Sequence, residues 1–171
     1  MRPPSVPSSR RTAPSADTTV DDAPASSLRP SGVGTVALLA ARIPGIGRWA
    51  WHHWLVVEDA RGLDRWEIWQ WRRAGGTAWG HLHLNLLPPL QGVGAGPGWV
   101  IRRWSGGPAE HLRHRLEASP REYPFREYYR PWPGPNSNTY AQWVLGNLHQ
   151  LDQHAPGRAY VTHAVVPTPW V

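Results

Sequence analysis

Cysteine and lysine are both missing from this chain, and methionine and phenylalanine occur once each. Without cysteine there is no disulfide, no thiolate metal site and no thiol nucleophile. Without lysine, all eighteen basic side chains are arginines. They are scattered among acids, as in Arg121-Glu122 and Arg126-Glu127, and form no tract. The formal charge of +6 therefore permits contact with nucleic acid or anionic lipid without marking a surface for it. No run approaches the roughly 20 apolar residues of a membrane span. Ser9-Arg10-Arg11 faintly resembles the start of a twin-arginine signal, but Thr12 to Pro30 is polar and proline-rich, with no apolar stretch. No targeting signal is read there, and the location expected by default is cytoplasmic.

What the chain does have is tryptophan, proline and glycine: 12, 19 and 17 residues. The tryptophans can dominate the burial of a small core, and the prolines and glycines predict short elements joined by many loops. Residues 1 to 33 are rich in Pro, Ser, Ala and Thr and cannot bury enough apolar surface to offset the entropy of ordering, so a disordered tail is expected. One domain, 34–171, should follow.

Hydrophobic alternation predicts strands over Thr35–Ile43, Trp49–Glu58, Arg65–Trp71, Trp79–Leu86 and Gly98–Trp104. In the second, His52, Trp54 and Val56 share one face, and His53, Leu55 and Val57 the other. In the fourth, His81, His83 and Asn85 oppose Leu82, Leu84 and Leu86, as expected of a strand with one buried and one polar face. The period then changes. Pro108–Ala118 reads as a helix on Leu112 and Leu116, and Asn138–Leu148 as a second on Tyr140, Val144 and Leu148. Tyr160–Val166 reads as a last strand or an extended tail. Strands first and helices after indicate an α+β domain: a small antiparallel sheet with two or three helices. Trp66, Trp69, Trp71 and Trp143 are assigned to the core. Tyr123, Tyr128 and Tyr129 are expected to pack the connection between the helices.

Between the helices lies WPGPNSNTYAQWVL, Trp132 to Leu145. Asn136 and Ser137 are both good helix N-caps, because either side chain can accept from an orphan N–H of the first turn. Ser137 also lies three residues before Tyr140 on the apolar stripe, at the start of the buried face. The positive end of the helix would favour an oxyanion there, with Asn138 as an added amide donor.

The run Tyr128–Tyr140, with His52-His53-Trp54 in an early strand, resembles a bacterial family of uncharacterised proteins, a domain of unknown function whose signature is close to WPGPNSNTF preceded by HxW. The resemblance spans about Thr35 to Gly146. More distantly the chain looks like circularly permuted NlpC-type papain-like proteins, the branch that includes lecithin retinol acyltransferase relatives. There a histidine comes first, on a strand, and a cysteine follows in an Asn-Cys motif opening a helix. On that resemblance His52 matches the histidine and Asn136-Ser137 the Asn-Cys pair, with serine in place of cysteine. A papain-like permuted arrangement is the implied fold.

The resemblance implies a papain-like module, non-catalytic, that binds a small molecule or peptide in a groove near Ser137, with Asn136, Asn138 and Tyr129 as binding residues. The alternative is a serine-dependent amide or ester hydrolase or acyltransferase. In it Ser137 is the nucleophile, His52 the general base, and His83, His81 or Glu67 the group that orients His52. A metal site on His81-x-His83 with His52 or His53 and a nucleic-acid surface on the interleaved Arg and Trp residues rank below both. No cofactor is expected.

Overall fold

The computed structural model describes residues 34–163. The expected N-terminal tail, 1–33, and residues 164–171 lie outside the described residues. Among these, six strands form one sheet: β1 (Thr35–Arg42), β2 (Trp51–Asp59), β3 (Gly62–Ile68), β4 (Thr77–Trp79), β5 (Leu82–Leu84) and β6 (Trp99–Trp104). Their order is β4-β5-β3-β2-β1-β6, and every neighbouring pair is antiparallel. Helices α1 (Gly106–Glu122), α2 (Ser137–Leu145) and α3 (Tyr160–His163) follow. The architecture is the α+β class expected from the order of periodicities.

Boundaries moved where local chemistry outweighed pattern. Asp59–Asp64 reads as a turn, and the structure has one there that is tighter: the β2–β3 hairpin is closed by Ala60 and Arg61, with Asp59 paired to Gly62. Asp59 accepts from the Arg61 backbone N–H at 2.8 Å, tying the turn locally. The strand expected over 79–86 is two short strands broken at Gly80, which takes a φ of +67°. Its histidine face is not half-exposed, because His81 and His83 are both buried. Trp71 and Tyr128, assigned to the core and to the connection, stand out in solvent. Tyr160–His163 is a short helix rather than a strand, and 164–166 lie outside the described residues.

Helix α1 runs beyond its expected end, through Pro120. A proline there cannot donate to the carbonyl four residues back, that of Leu116. Ser119 supplies the missing donor: its hydroxyl bonds the Leu116 carbonyl oxygen at 2.6 Å. The Tyr140 hydroxyl then donates to Ser119 Oγ at 2.9 Å, tying α1 to α2 inside the core. Helix α2 stops at Gly146, whose φ is +52°, so Leu148 falls outside it and is partly exposed.

The sheet has two differently furnished faces. Val36, Leu38, Leu55, Val57, Trp66, Ile68 and Leu82 point towards the helices and pack with Leu112, Leu116, Tyr140 and Val144 in the main core. A fully buried side chain of this size contributes about 1.5–3 kcal/mol. Ala37, Leu39, Ala41, Trp54 and Val56 form a smaller cluster on the opposite face, covered by the Pro/Gly loop between β5 and β6. Trp54 Nε1 donates to the Pro89 carbonyl at 2.9 Å. Gly98 lies so close to the Trp54 ring that a Cβ there would collide with it.

Candidate functional site

Helix α2 is opened by Asn136, not Ser137. Asn136 Oδ1 accepts from the N–H groups of Asn138 (3.0 Å) and Thr139 (3.2 Å), while Thr139 Oγ1 accepts from the Asn136 N–H at 3.1 Å. This reciprocal arrangement is a capping box. The same Asn136 side chain donates through Nδ2 to the carbonyls of Pro131 (3.0 Å) and Pro156 (3.1 Å). Thr139 Oγ1 donates to the Gly157 carbonyl at 2.8 Å, and Asn138 Nδ2 to that of Pro156 at 3.0 Å. Asn136, Asn138 and Thr139 thus staple the 156–157 segment to the helix start. Ser137, between them, is 5% exposed. No hydrogen bond joins its hydroxyl or its backbone N–H to any described residue.

The strand residue that meets this helix start is His53. Its Nδ1 lies 2.8 Å from Asn138 Oδ1. Because Asn138 Nδ2 is committed to a carbonyl, which only accepts, Oδ1 must face the imidazole, and His53 Nδ1 is the donor. The lone pair of the ring therefore sits on Nε2, which has no partner among the described residues. Burial drives the imidazole down from 6.5 to about 4, against the opposing pull of the Asn138 hydrogen bond, so it is neutral at physiological pH. Trp51, on the same face of β2, stacks on His154 with ring centroids 4.1 Å apart and meets Trp99 edge-on.

His52, taken from the sequence as the base for Ser137, lies on the other side of the sheet. Alternation along β2 puts it with Trp54 and Val56, away from α2. Its Nε2 donates to Glu67 Oε2 at 2.9 Å, and its ring packs against Trp54 and Trp69. Glu67, the third candidate for orienting His52, is the one that does so. Arg65 holds the same carboxylate, Nε to Oε1 at 2.7 Å, and lies over the Trp54 ring at 4.1 Å. Burial by itself would raise the Glu67 carboxyl. The hydrogen bond and charge of His52, then the charge of Arg65, outweigh it and leave Glu67 below the ordinary carboxylate range. Arg65 also donates to the carbonyls of Pro88 and Gln91, so this buried set ties down the covering loop.

His83 cannot orient His52, because backbone groups occupy both its nitrogens. Nδ1 donates to the His81 carbonyl at 2.8 Å, and Nε2 accepts from the Ala74 N–H at 3.1 Å. His81 Nδ1 donates to the Trp69 carbonyl, and its ring stacks on Tyr129. Neither the stacking of Tyr129 nor any of its hydrogen bonds reaches Ser137. Among the described residues no group of three or more His, Asp or Glu side chains is placed to hold a metal ion. No helix among them is long and apolar enough to cross a membrane. Of the interleaved sets Arg65-Trp66, Trp71-Arg72-Arg73 and Arg102-Arg103-Trp104, Arg65, Trp66 and Trp104 are buried, and Trp71 is the exposed ring.

The site thus comprises Ser137, Asn138 and His53, supported by Asn136, Thr139 and the 156–157 segment. His53 was missed as the partner although alternation separated it from His52. Both faces of β2 read as equally apolar, so nothing local said which one α2 would cover. Residues 34–161 match a family model described as a protein of unknown function (DUF3750). No curated protein and no solved structure matches the chain.

Proposed function

Because the chain belongs to the DUF3750 family of proteins of unknown function, its activity has to be read from the site, and we propose a non-catalytic module, papain-like in layout, that binds an amide-bearing small molecule or peptide at the start of α2. One observation carries the reading. Among the described residues the side chains of Asn136, Asn138 and Thr139 are all bonded, whereas the Ser137 hydroxyl has no partner and the facing His53 keeps an unpaired lone pair on Nε2. Ser137 offers donors through its hydroxyl and its N–H; His53 Nε2 offers an acceptor. An amide presents the complement, a carbonyl oxygen for Ser137 and an N–H for His53.

The magnitudes favour binding over catalysis. A thiol with a pKa near 8.5 can be ionised at a helix start, whereas a serine hydroxyl needs a base that becomes cationic. Here the histidine is oriented by an amide. In serine hydrolases, exchanging the orienting carboxylate for an amide costs about 10,000-fold in rate, or about 5.5 kcal/mol of barrier. The capping box also uses the N–H groups of Asn138 and Thr139, leaving that of Ser137 as the first-turn donor for an oxyanion.

The second reading, a hydrolase or acyltransferase, is favoured by the tautomer of His53, which aims a neutral lone pair from the face that α2 covers. In that reading the base is His53 and not His52. One experiment separates the two. Calorimetric titration with N-acetyl amino-acid methylamides and short peptides should show saturable binding, weakened about tenfold by Ser137→Ala, the worth of one hydrogen bond. A serine-directed fluorophosphonate should leave the protein unmodified. Stoichiometric labelling of Ser137 that persists in His52→Ala and vanishes in His53→Ala would replace binding by catalysis.

A further inference from the structure

Away from the α2 start, a cavity of about 580 Å³ opens between the β4–β5 turn, the end of α1 and the connection that follows it. Arg73, Arg121, Arg126, Glu117 and Glu127 line it, with Trp79 and Gly80. Charge pairing inside it is uneven. Glu117 is held by Arg113, Nε to Oε1 at 3.2 Å. Glu127 is bonded by Arg72 and lies 3.6 Å from Arg126. Arg126 also donates to the Pro120 carbonyl. Both acids are therefore neutralised, and Arg126 is committed. Arg73 and Arg121 make no side-chain hydrogen bond or ion pair with any described residue.

We propose that this cavity is a second ligand site, independent of Ser137, which takes a small organic anion carrying carboxylate or phosphate oxygens between Arg73 and Arg121. Guanidinium groups present paired donors that match such oxygens. Arg73 is fixed at the rim by its backbone: its φ is +53°, and its N–H donates to the Gly80 carbonyl at 3.0 Å. The carbonyls at the end of α1 would repel an anion. Here the Pro120 carbonyl accepts from Arg126, and that of Ser119 from the Tyr123 N–H at 3.0 Å. Trp79 stacks parallel on Trp66, centroids 6.0 Å apart, and adds a rigid aromatic wall suited to the carbon skeleton of the ligand.

The test is an NMR titration of the full chain with inorganic phosphate and, separately, with succinate, ionic strength being held constant with chloride. Saturable shifts at the Trp79 indole and the Gly80 amide, with either probe, are expected. The Arg73→Gln/Arg121→Gln double variant should weaken them at least tenfold, and Arg103→Gln, on β6, should leave them unchanged. Phosphate alone saturating would assign a phosphate ester, and succinate alone a dicarboxylate. Shifts that never saturate, or that survive the double variant, overturn the site. Arg73 and Arg121 are exposed, so their replacement leaves the fold intact, and peptide binding at Ser137 is the control that must persist.

Discussion

Replacing Asn136 by alanine should destabilise the protein far more than replacing Ser137, although the two adjoin in the motif. Asn136 supplies the cap to two N–H groups, worth about 1 kcal/mol. It also donates to the Pro131 and Pro156 carbonyls, and each such bond contributes about 0.5–1.5 kcal/mol net. The expected loss is about 2–4 kcal/mol, or about 10 °C in melting temperature for a domain of this size. Ser137→Ala removes a hydroxyl that has no partner among the described residues and should cost under about 0.5 kcal/mol. Asn136→Asp retains the cap acceptor, loses both donors and sets a charge against two carbonyls, so it should not restore stability. Urea unfolding followed by tryptophan fluorescence reads all three, provided the slope is unchanged. The reasoning fails if Ser137→Ala costs as much as Asn136→Ala, or if Asn136→Ala costs less than about 1 kcal/mol.

The remaining predictions concern the pieces around this cap. His53 is lowered from 6.5 unfolded to about 4 folded, so the unfolded chain binds its proton first on acidification. Stability should fall between those pH values by about 3 kcal/mol, at about 1.4 kcal/mol per tenfold change in proton affinity, and the fall should shrink in His53→Gln when unfolding is measured across that range. Glu67→Gln strips the buried Arg65 of its counter-charge and should cost about 3–5 kcal/mol by urea unfolding. Since Glu67 is held below the ordinary carboxylate range, its contribution is present at neutral pH and lost as acid protonates the folded form, so the variant should show a flatter acid limb. Gly157→Ala would put a Cβ 2.5 Å from Asn136 Nδ2 at a φ of +87°, and its melting temperature should drop at least as far as that of Asn136→Ala.

The class of fold, the succession of strands before helices and the two faces of β2 were all legible in the sequence, whereas the break at Gly80 and the helical Tyr160–His163 were not. The period-2 alternation of WHHWLVVE and the Leu112/Leu116 and Tyr140/Val144 spacings are local properties, and local backbone geometry obeys them. The sequence also determined that a polar helix start follows the Pro-Gly-Pro turn. It did not say which of two adjacent histidines would meet that start. Trp54 and Val56 are as apolar as Leu55 and Val57, so either face of β2 could have taken the helices. That choice depends on where the chain returns at Asn138, 85 positions after His53. The tertiary structure settled it by putting α2 on the Leu55 side and the Pro/Gly loop on the Trp54 side. His53 thereby faces Asn138, and His52 joins Glu67 and Arg65 beneath that loop. The Asn136 cap shows the same division. Its preference for a helix start is local, but its bonds to Pro131 and Pro156 exist only once distant segments have been brought together.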